Sequence, residues 1–95
     1  MKDSEIISLL HDLNRPTFFT RDDDFFERHL CHVDYCLVHT AVHKNEVAVF
    51  ARRLLRHPAL NTKAKRMGSV VRVTHAGLLE WRLHEENPER FDWPE

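Results

Sequence analysis

Histidine and cysteine recur at a helical spacing in the first half of the chain, where they could bind a metal ion. The series is His29, His32, Cys36, His39 and His43. On one continuous helix these side chains would share a face, and imidazole and thiolate are ligands that zinc prefers. His32, Cys36, His39 and His43 are therefore candidate ligands, in two pairs spaced four apart. We favour instead a half-buried or protein-contact face, so the sequence predicts no cofactor, with zinc as the alternative.

Basic side chains concentrate in the middle of the chain, although the whole chain carries a net charge of −1. Residues 44–72 hold eight lysines and arginines against one acidic residue, Glu46, which is a local balance of +7. Such a block binds phosphates or an acidic protein surface, unless it is simply a solvated face neutralised by the acidic ends of the chain. The candidate binding residues are Lys44, Arg52, Arg53, Arg56, Lys63, Lys65, Arg66 and Arg72.

No catalytic signature accompanies this block. The sequence contains no Gly-x-Ser-x-Gly, no phosphate-binding loop, no His-Glu-x-x-His and no glycine-rich dinucleotide turn, and it therefore predicts a non-enzymatic protein. Two classes of function remain. One is a regulator that binds nucleic acid through the basic block. The other is a protein-protein interaction module, such as a phage-encoded inhibitor of a host nucleic-acid-binding complex, that uses the same block.

The elements that must position these residues follow from hydrophobic spacing and from helix start and stop signals. Apolar residues at helical spacing between Asp3 and Asn14 predict a first amphipathic helix, which Pro16 ends. Thr17 to Phe19 should be a short extended segment. Thr20 and the three aspartates after it are typical of a helix start, so a second helix is expected from about Phe25.

The far end of this second helix allows two interpretations. Phe26, Leu30, Val33 and Leu37 form a helical stripe, whereas residues 37–42 are rich enough in β-branched side chains to be a strand. The chain is either a helix to about Tyr35 followed by a strand, or one helix through His43. Only the continuous helix keeps the candidate metal ligands on one face.

The second half of the chain is predicted in five pieces. Residues 46–56 have an apolar and an arginine-rich face and should form a helix. Residues 58–68 are expected to be a mobile basic loop, and residues 69–73 a strand. Thr74 should cap a last helix. Residues 87–95 form an aromatic C-terminal tail, which we expect to dock on the core of the domain.

Length and composition limit the overall class of protein. Ninety-five residues with 42% hydrophobic side chains and two cysteines describe a single domain, residues 1–95, with reduced thiols rather than a disulfide scaffold. No apolar run is long enough for a membrane helix, and the first residues do not resemble a signal peptide. These features predict a cytoplasmic protein without a membrane partner.

Two short segments suggest a family. The string Val71 to Trp81, with Thr74 and Gly77 at its centre, resembles the strand, Thr-x-x-Gly and final helix that close the wing of MarR-like and PadR-like winged-helix regulators and of small prophage-encoded winged-helix proteins. Val33 to Val38 looks like the segment where their recognition helix ends and the first wing strand begins. The resemblance implies a mostly helical α+β fold with a short β-hairpin, DNA binding in transcription regulation, and a possible homodimer. An all-α bundle is the alternative fold.

Overall fold

The computed structural model describes residues 3–22, 25–26 and 28–94. It contains three α-helices and five strands in these ranges, with short 3₁₀ helices at Arg28–Leu30 and Lys44–Glu46. In chain order the elements are α1 (Asp3–Asp12), β1 (Thr17–Thr20), β2 (Cys36–Thr40), α2 (Val47–Arg56), α3 (Lys63–Arg66), β3 (Ser69–Thr74), β4 (Gly77–Arg82) and β5 (Glu89–Asp92).

The strands form one mixed sheet in the order β1-β2-β3-β4-β5. β1, β2 and β3 are parallel, whereas β3, β4 and β5 form an antiparallel meander. The predicted fold class, a mostly helical winged-helix-like domain with an all-α bundle as alternative, is therefore wrong. The reason is that the two parallel pairings join segments far apart in the chain, and local patterns carry no information about such partners.

Helices and loops cover both faces of this sheet. Side chains of successive strand residues alternate, so Val38 and Val71 lie on one face and Leu37 and Val70 on the other. The first face packs against α2 through Phe50 and Leu54. The second packs against α1 and the segment before β2, with the buried side chains Leu10, Phe25 and Tyr35.

The expected second helix is not observed. In the described part of this segment, helical structure is limited to 3₁₀ geometry at Phe25 and at Arg28–Leu30. Cys36–Thr40 is a strand, which is the alternative the β-branched composition left open. Asp23, Asp24 and Glu27 lie outside the described residues. A central parallel strand is buried on both faces and so is apolar at consecutive positions, as in Leu37 and Val38, which are both fully buried. Val33, which the helical stripe places in the core, is 60% exposed.

The expected last helix is also wrong, because residues after Thr74 turn back as β4. The Thr74 hydroxyl accepts a hydrogen bond from the Gly77 amide at 3.2 Å, but the capped segment is a hairpin turn and not a helix start. Val73 pairs with Leu78 across the hairpin, and Leu78 enters the core while Trp81 lies on the opposite face. Period-two burial thus prevails over the apolar residues at helical spacing.

Segment 58–68 contains a helical turn where the sequence predicts a loop. Thr62 caps α3 by accepting a hydrogen bond from the Lys65 amide at 3.2 Å. Leu60 and Met67, on either side of α3, are buried. The prediction missed these anchors because one apolar residue at each end of a basic run makes no helical or strand period. No helix in the described ranges is long and apolar enough to cross a membrane.

Candidate nucleic-acid interface

The outward face of α2 carries three of the predicted basic residues. Phe50 and Leu54 bury the opposite face of this helix, so Arg52, Arg53 and Arg56 point to solvent. Residues three and four apart are neighbours on a helix, so Arg56 is adjacent on the helix surface to both Arg52 and Arg53. Among the described residues, Arg52 and Arg56 have no hydrogen-bond or ion-pair partner. We call these three residues the α2 basic surface.

Arg53 is stacked on an aromatic side chain from the C-terminal segment. Its guanidinium carbon lies 4.4 Å from the centre of the Trp93 ring and 5.0 Å from that of Phe50. A guanidinium over an aromatic face is held by cation-π attraction. Arg53, Arg56, Trp93 and Pro94 line a shallow groove of about 170 Å³. The surface therefore combines two exposed arginines with one arginine that lies over an aromatic ring.

Trp93 is held in place by one hydrogen bond and by the pairing of the strand that precedes it. Its indole N–H donates to the Thr74 carbonyl at 2.8 Å. The strand before it, β5, approaches β4 so closely that a Cβ at Gly77 would overlap the Phe91 carbonyl oxygen. Phe91 and Trp93 pack against the α2 side of the core, where the tail was expected to dock.

His57 joins the end of α2 to the same C-terminal segment. The imidazole is buried, its Nδ1 accepts a hydrogen bond from the Ala59 amide at 3.1 Å, and its Nε2 lies 2.9 Å from the Asp92 carbonyl oxygen. Acceptance at Nδ1 leaves the proton on Nε2, which donates to Asp92. This buried histidine thus fixes β5, and with it Trp93, relative to the α2 basic surface.

The cations of α3 are less available to a partner than those of the α2 basic surface, because they donate hydrogen bonds to backbone carbonyls. Lys63 Nζ donates to the Asn14 carbonyl at 2.8 Å, and Lys65 Nζ donates to the Pro58 carbonyl at 2.9 Å. Arg66 donates to the Thr17 hydroxyl and to the Leu60 carbonyl, both at 3.0 Å. These groups connect α3 to the start of β1 and to the preceding turn.

The two remaining basic candidates, Arg72 and Lys44, lie on neither α2 nor α3. Arg72 lies on β3 with its guanidinium carbon 4.1 Å from the centre of the Phe26 ring, and its Nε donates to His39 Nδ1 at 3.1 Å. Lys44 is exposed in the 3₁₀ turn that leads into α2. The structure therefore divides the predicted block into an exposed arginine group on α2, an anchored group on α3, a stacked arginine in the sheet and an isolated lysine.

The four candidate metal ligands are not brought together. Cys36 and His39 are both buried in β2, where three residues of separation place them on opposite faces of the sheet, and His43 is exposed at the cap of the next turn. Burial raises the pKa of the Cys36 thiol to about 12, so the thiolate that binds metals is disfavoured. His32 instead lies beside His11 and Asp34. No spacing signal links His11 to this pair, because α1 reaches them only through the tertiary fold.

One buried carboxylate lies at the edge of the core near α3. Glu80 is 2% exposed and accepts hydrogen bonds from the Ser69 hydroxyl at 2.6 Å and from Arg82 at 3.0 Å. Burial raises the pKa of Glu80 above its ordinary value, and the bonds from Ser69 and Arg82 oppose this increase. Arg82 also donates to the Lys65 carbonyl at 3.0 Å. Through Arg82 the group is therefore bonded to the backbone of α3 and helps to position it.

Comparison with known proteins adds no relative to this geometry. No protein-family model matches the chain, and neither a curated protein nor a solved structure matches it. The function has to be argued from the site itself.

Proposed function

We propose that this protein is a non-enzymatic nucleic-acid-binding protein whose α2 basic surface, together with Trp93, contacts a single strand. The observation that carries the proposal is the pairing of two kinds of cation on one helix face. Arg52 and Arg56 are exposed and without partners in the described structure, while the Arg53 guanidinium lies over the Trp93 ring.

These two kinds of cation match the two parts of a nucleotide. Exposed arginines suit phosphate oxygens, which they contact with charge-assisted hydrogen bonds. A guanidinium that lies over an aromatic ring suits a base, because bases stack on both kinds of group. Unpaired bases are accessible in single strands, and a shallow groove such as that of Arg53, Arg56, Trp93 and Pro94 can accept one.

The distribution of charge favours one orientation of the partner. The chain as a whole is slightly acidic, and the described cations of α3 are bonded to carbonyl groups. A polyanion is therefore attracted to the α2 basic surface and repelled by the acidic remainder. Two phosphate-binding arginines, Arg52 and Arg56, predict an affinity that is modest and sensitive to salt.

The experiment is a salt titration of fluorescently labelled single-stranded and duplex oligonucleotides. For the single strand we expect the slope of log K against log salt to decrease by about 1.4 in R52Q/R53Q/R56Q, at about 0.7 for each of the two phosphate contacts. A matched control is R15Q/R21Q/R90Q, which removes the same charge from three exposed arginines elsewhere. Equal losses in the two variants, or no binding by the wild type at about 50 mM salt, would overturn the proposal.

A second candidate function, binding of an acidic protein partner, is favoured by one apolar side chain. Val49 is 48% exposed and shares the face of α2 that presents the arginines. Arginine beside exposed apolar surface is typical of protein interfaces, including those of an inhibitor of a host nucleic-acid-binding complex. Val49→Ser separates the two functions, because it should leave oligonucleotide affinity unchanged and weaken a protein complex.

A further inference from the structure

Three metal-binding side chains converge between α1 and the segment before β2. They are His11, His32 and Asp34, and their ligand atoms all lie within 4.8 Å of one another. Asp34 Oδ2 is 3.8 Å from His11 Nδ1 and 3.7 Å from His32 Nδ1. The cluster is accessible from solvent, since the Asp34 side chain is 53% exposed.

A buried tyrosine holds both imidazole rings. Tyr35 is 3% exposed, and its hydroxyl donates to the Leu30 carbonyl at 2.7 Å. The His32 ring stacks on the Tyr35 ring at 5.4 Å, and the His11 ring meets it edge-on at 5.3 Å. The two histidine rings are 4.4 Å apart and almost perpendicular. Their orientations are therefore determined by packing, which lowers the entropy lost when a ligand binds.

We propose that His11, His32 and Asp34 bind one divalent transition-metal ion, with zinc as the best fit. Two imidazoles and one carboxylate are a nitrogen-rich set suited to zinc, whereas magnesium and calcium prefer oxygen ligands alone. Zinc bonds of about 2.0–2.1 Å in tetrahedral geometry place ligand atoms about 3.3 Å apart. The two nitrogen-to-oxygen distances, 3.8 and 3.7 Å, must shorten by about 0.4–0.5 Å to reach this value, and the distance between the two histidine ligand atoms, which is within 4.8 Å, by at most about 1.5 Å. Water completes the coordination.

The position of His11 adds an electrostatic contribution. It lies in the last turn of α1, where unpaired carbonyl groups give the helix end a partial negative charge. A cation at this end is stabilised by the helix as well as by Asp34. Binding also connects α1 to the segment that leads into β2, so the metal links two elements that are distant in the chain.

Metal binding must replace one existing hydrogen bond. The Asp34 amide donates to His32 Nδ1 at 3.1 Å, which places the ring proton on Nε2. Coordination through either nitrogen removes this acceptor, and the exposed amide then donates to water. The His32 ring nitrogens should therefore show a change in their ¹⁵N resonances when the metal binds.

The test is calorimetric titration of the untagged, chelator-treated full chain with zinc chloride alone. We expect one site, with affinity lower by at least about tenfold in His11→Ala and in Asp34→Asn. The matched control is His75→Ala, which removes another exposed histidine paired with a carboxylate, Glu46, at 3.0 Å but with no third ligand in the described structure. The zinc affinity of His75→Ala should equal that of the wild type, and magnesium ions should not bind to the wild type.

Several results would overturn the site. Unchanged zinc affinity in His11→Ala and Asp34→Asn, or an equal loss in His75→Ala, would indicate dispersed binding by surface histidines. If the His32 ¹⁵N resonances do not change when zinc is added, the proposed site is also overturned. Asp34→Asn preserves the size of an exposed side chain, so the comparison holds even if His11→Ala disturbs the packing on Tyr35.

Discussion

Helices α2 and α3 carry the same kind of cationic side chain but are attached to the protein in opposite ways. α2 is held by the apolar residues Phe50 and Leu54, and its arginines project to solvent. α3 has no buried residue, and its cations donate to backbone carbonyls instead. The basic block of the sequence thus forms two different structures. The arginines of α2 are available to a partner, whereas the cations of α3 stabilise the fold.

The comparison explains why charge alone is a poor guide to a binding surface. A lysine or arginine that satisfies carbonyl groups would have to break those bonds before it could contact a phosphate. An exposed arginine loses only water and side-chain freedom. Between these groups of similar charge, the α2 basic surface is therefore the stronger candidate.

The largest expected effect concerns the apolar attachment of α2. Leu54 is fully buried, so Leu54→Ala should lower the free energy of unfolding by about 2–5 kcal/mol through lost burial and a residual cavity. Leu55 on the same helix is 37% exposed, so Leu55→Ala serves as the matched control. It should lower the free energy of unfolding much less than Leu54→Ala does. Urea denaturation measures both. Similar losses in the two variants would contradict the assigned face of α2.

The next effect concerns the polar attachment of α3. Arg66→Ala removes hydrogen bonds to Thr17 and Leu60 and should cost about 1–3 kcal/mol of stability. Arg56→Ala, on the exposed face of α2, should change stability by less than about 0.5 kcal/mol. In the oligonucleotide titration the order should reverse, with Arg56→Ala the more damaging. A variant pair that behaves alike in both measurements would remove the distinction between the two helices.

The smallest expected effect is a pH dependence beside α3. Because burial raises the pKa of Glu80, the stability this group contributes is fully present below the ordinary carboxyl pKa. It is lost as the pH rises through the raised value, since the native state must then hold a buried charge. Glu80→Gln should flatten this decline, whereas Glu86→Gln, an exposed control, should retain it. Parallel stability profiles for wild type and Glu80→Gln would refute this explanation.

Local patterns were sufficient where an element has a strong period or a clear stop signal. The amphipathic α1 and α2 lie within a few residues of their predicted bounds, and the extended segments at β1 and β3 are confirmed. Segregation of charge along the chain can also be read directly. The arginines of the α2 basic surface were predicted for this reason, because one face of α2 is apolar and the other must be polar.

Tertiary contacts decided everything that depends on partners distant in the chain. β2 is a strand because β1 and β3 pair with its two edges, and β4 is a strand because it pairs with β3. The segments that form β2 and β4 also have apolar residues at helical spacing, which by themselves favour a helix. The same holds for the sites. The packing of the elements on the sheet determines whether a lysine binds a carbonyl or faces solvent. It also brings His11 to His32 and Asp34. Composition and spacing determine which side chains are available, but only the packed sheet determines which of them meet.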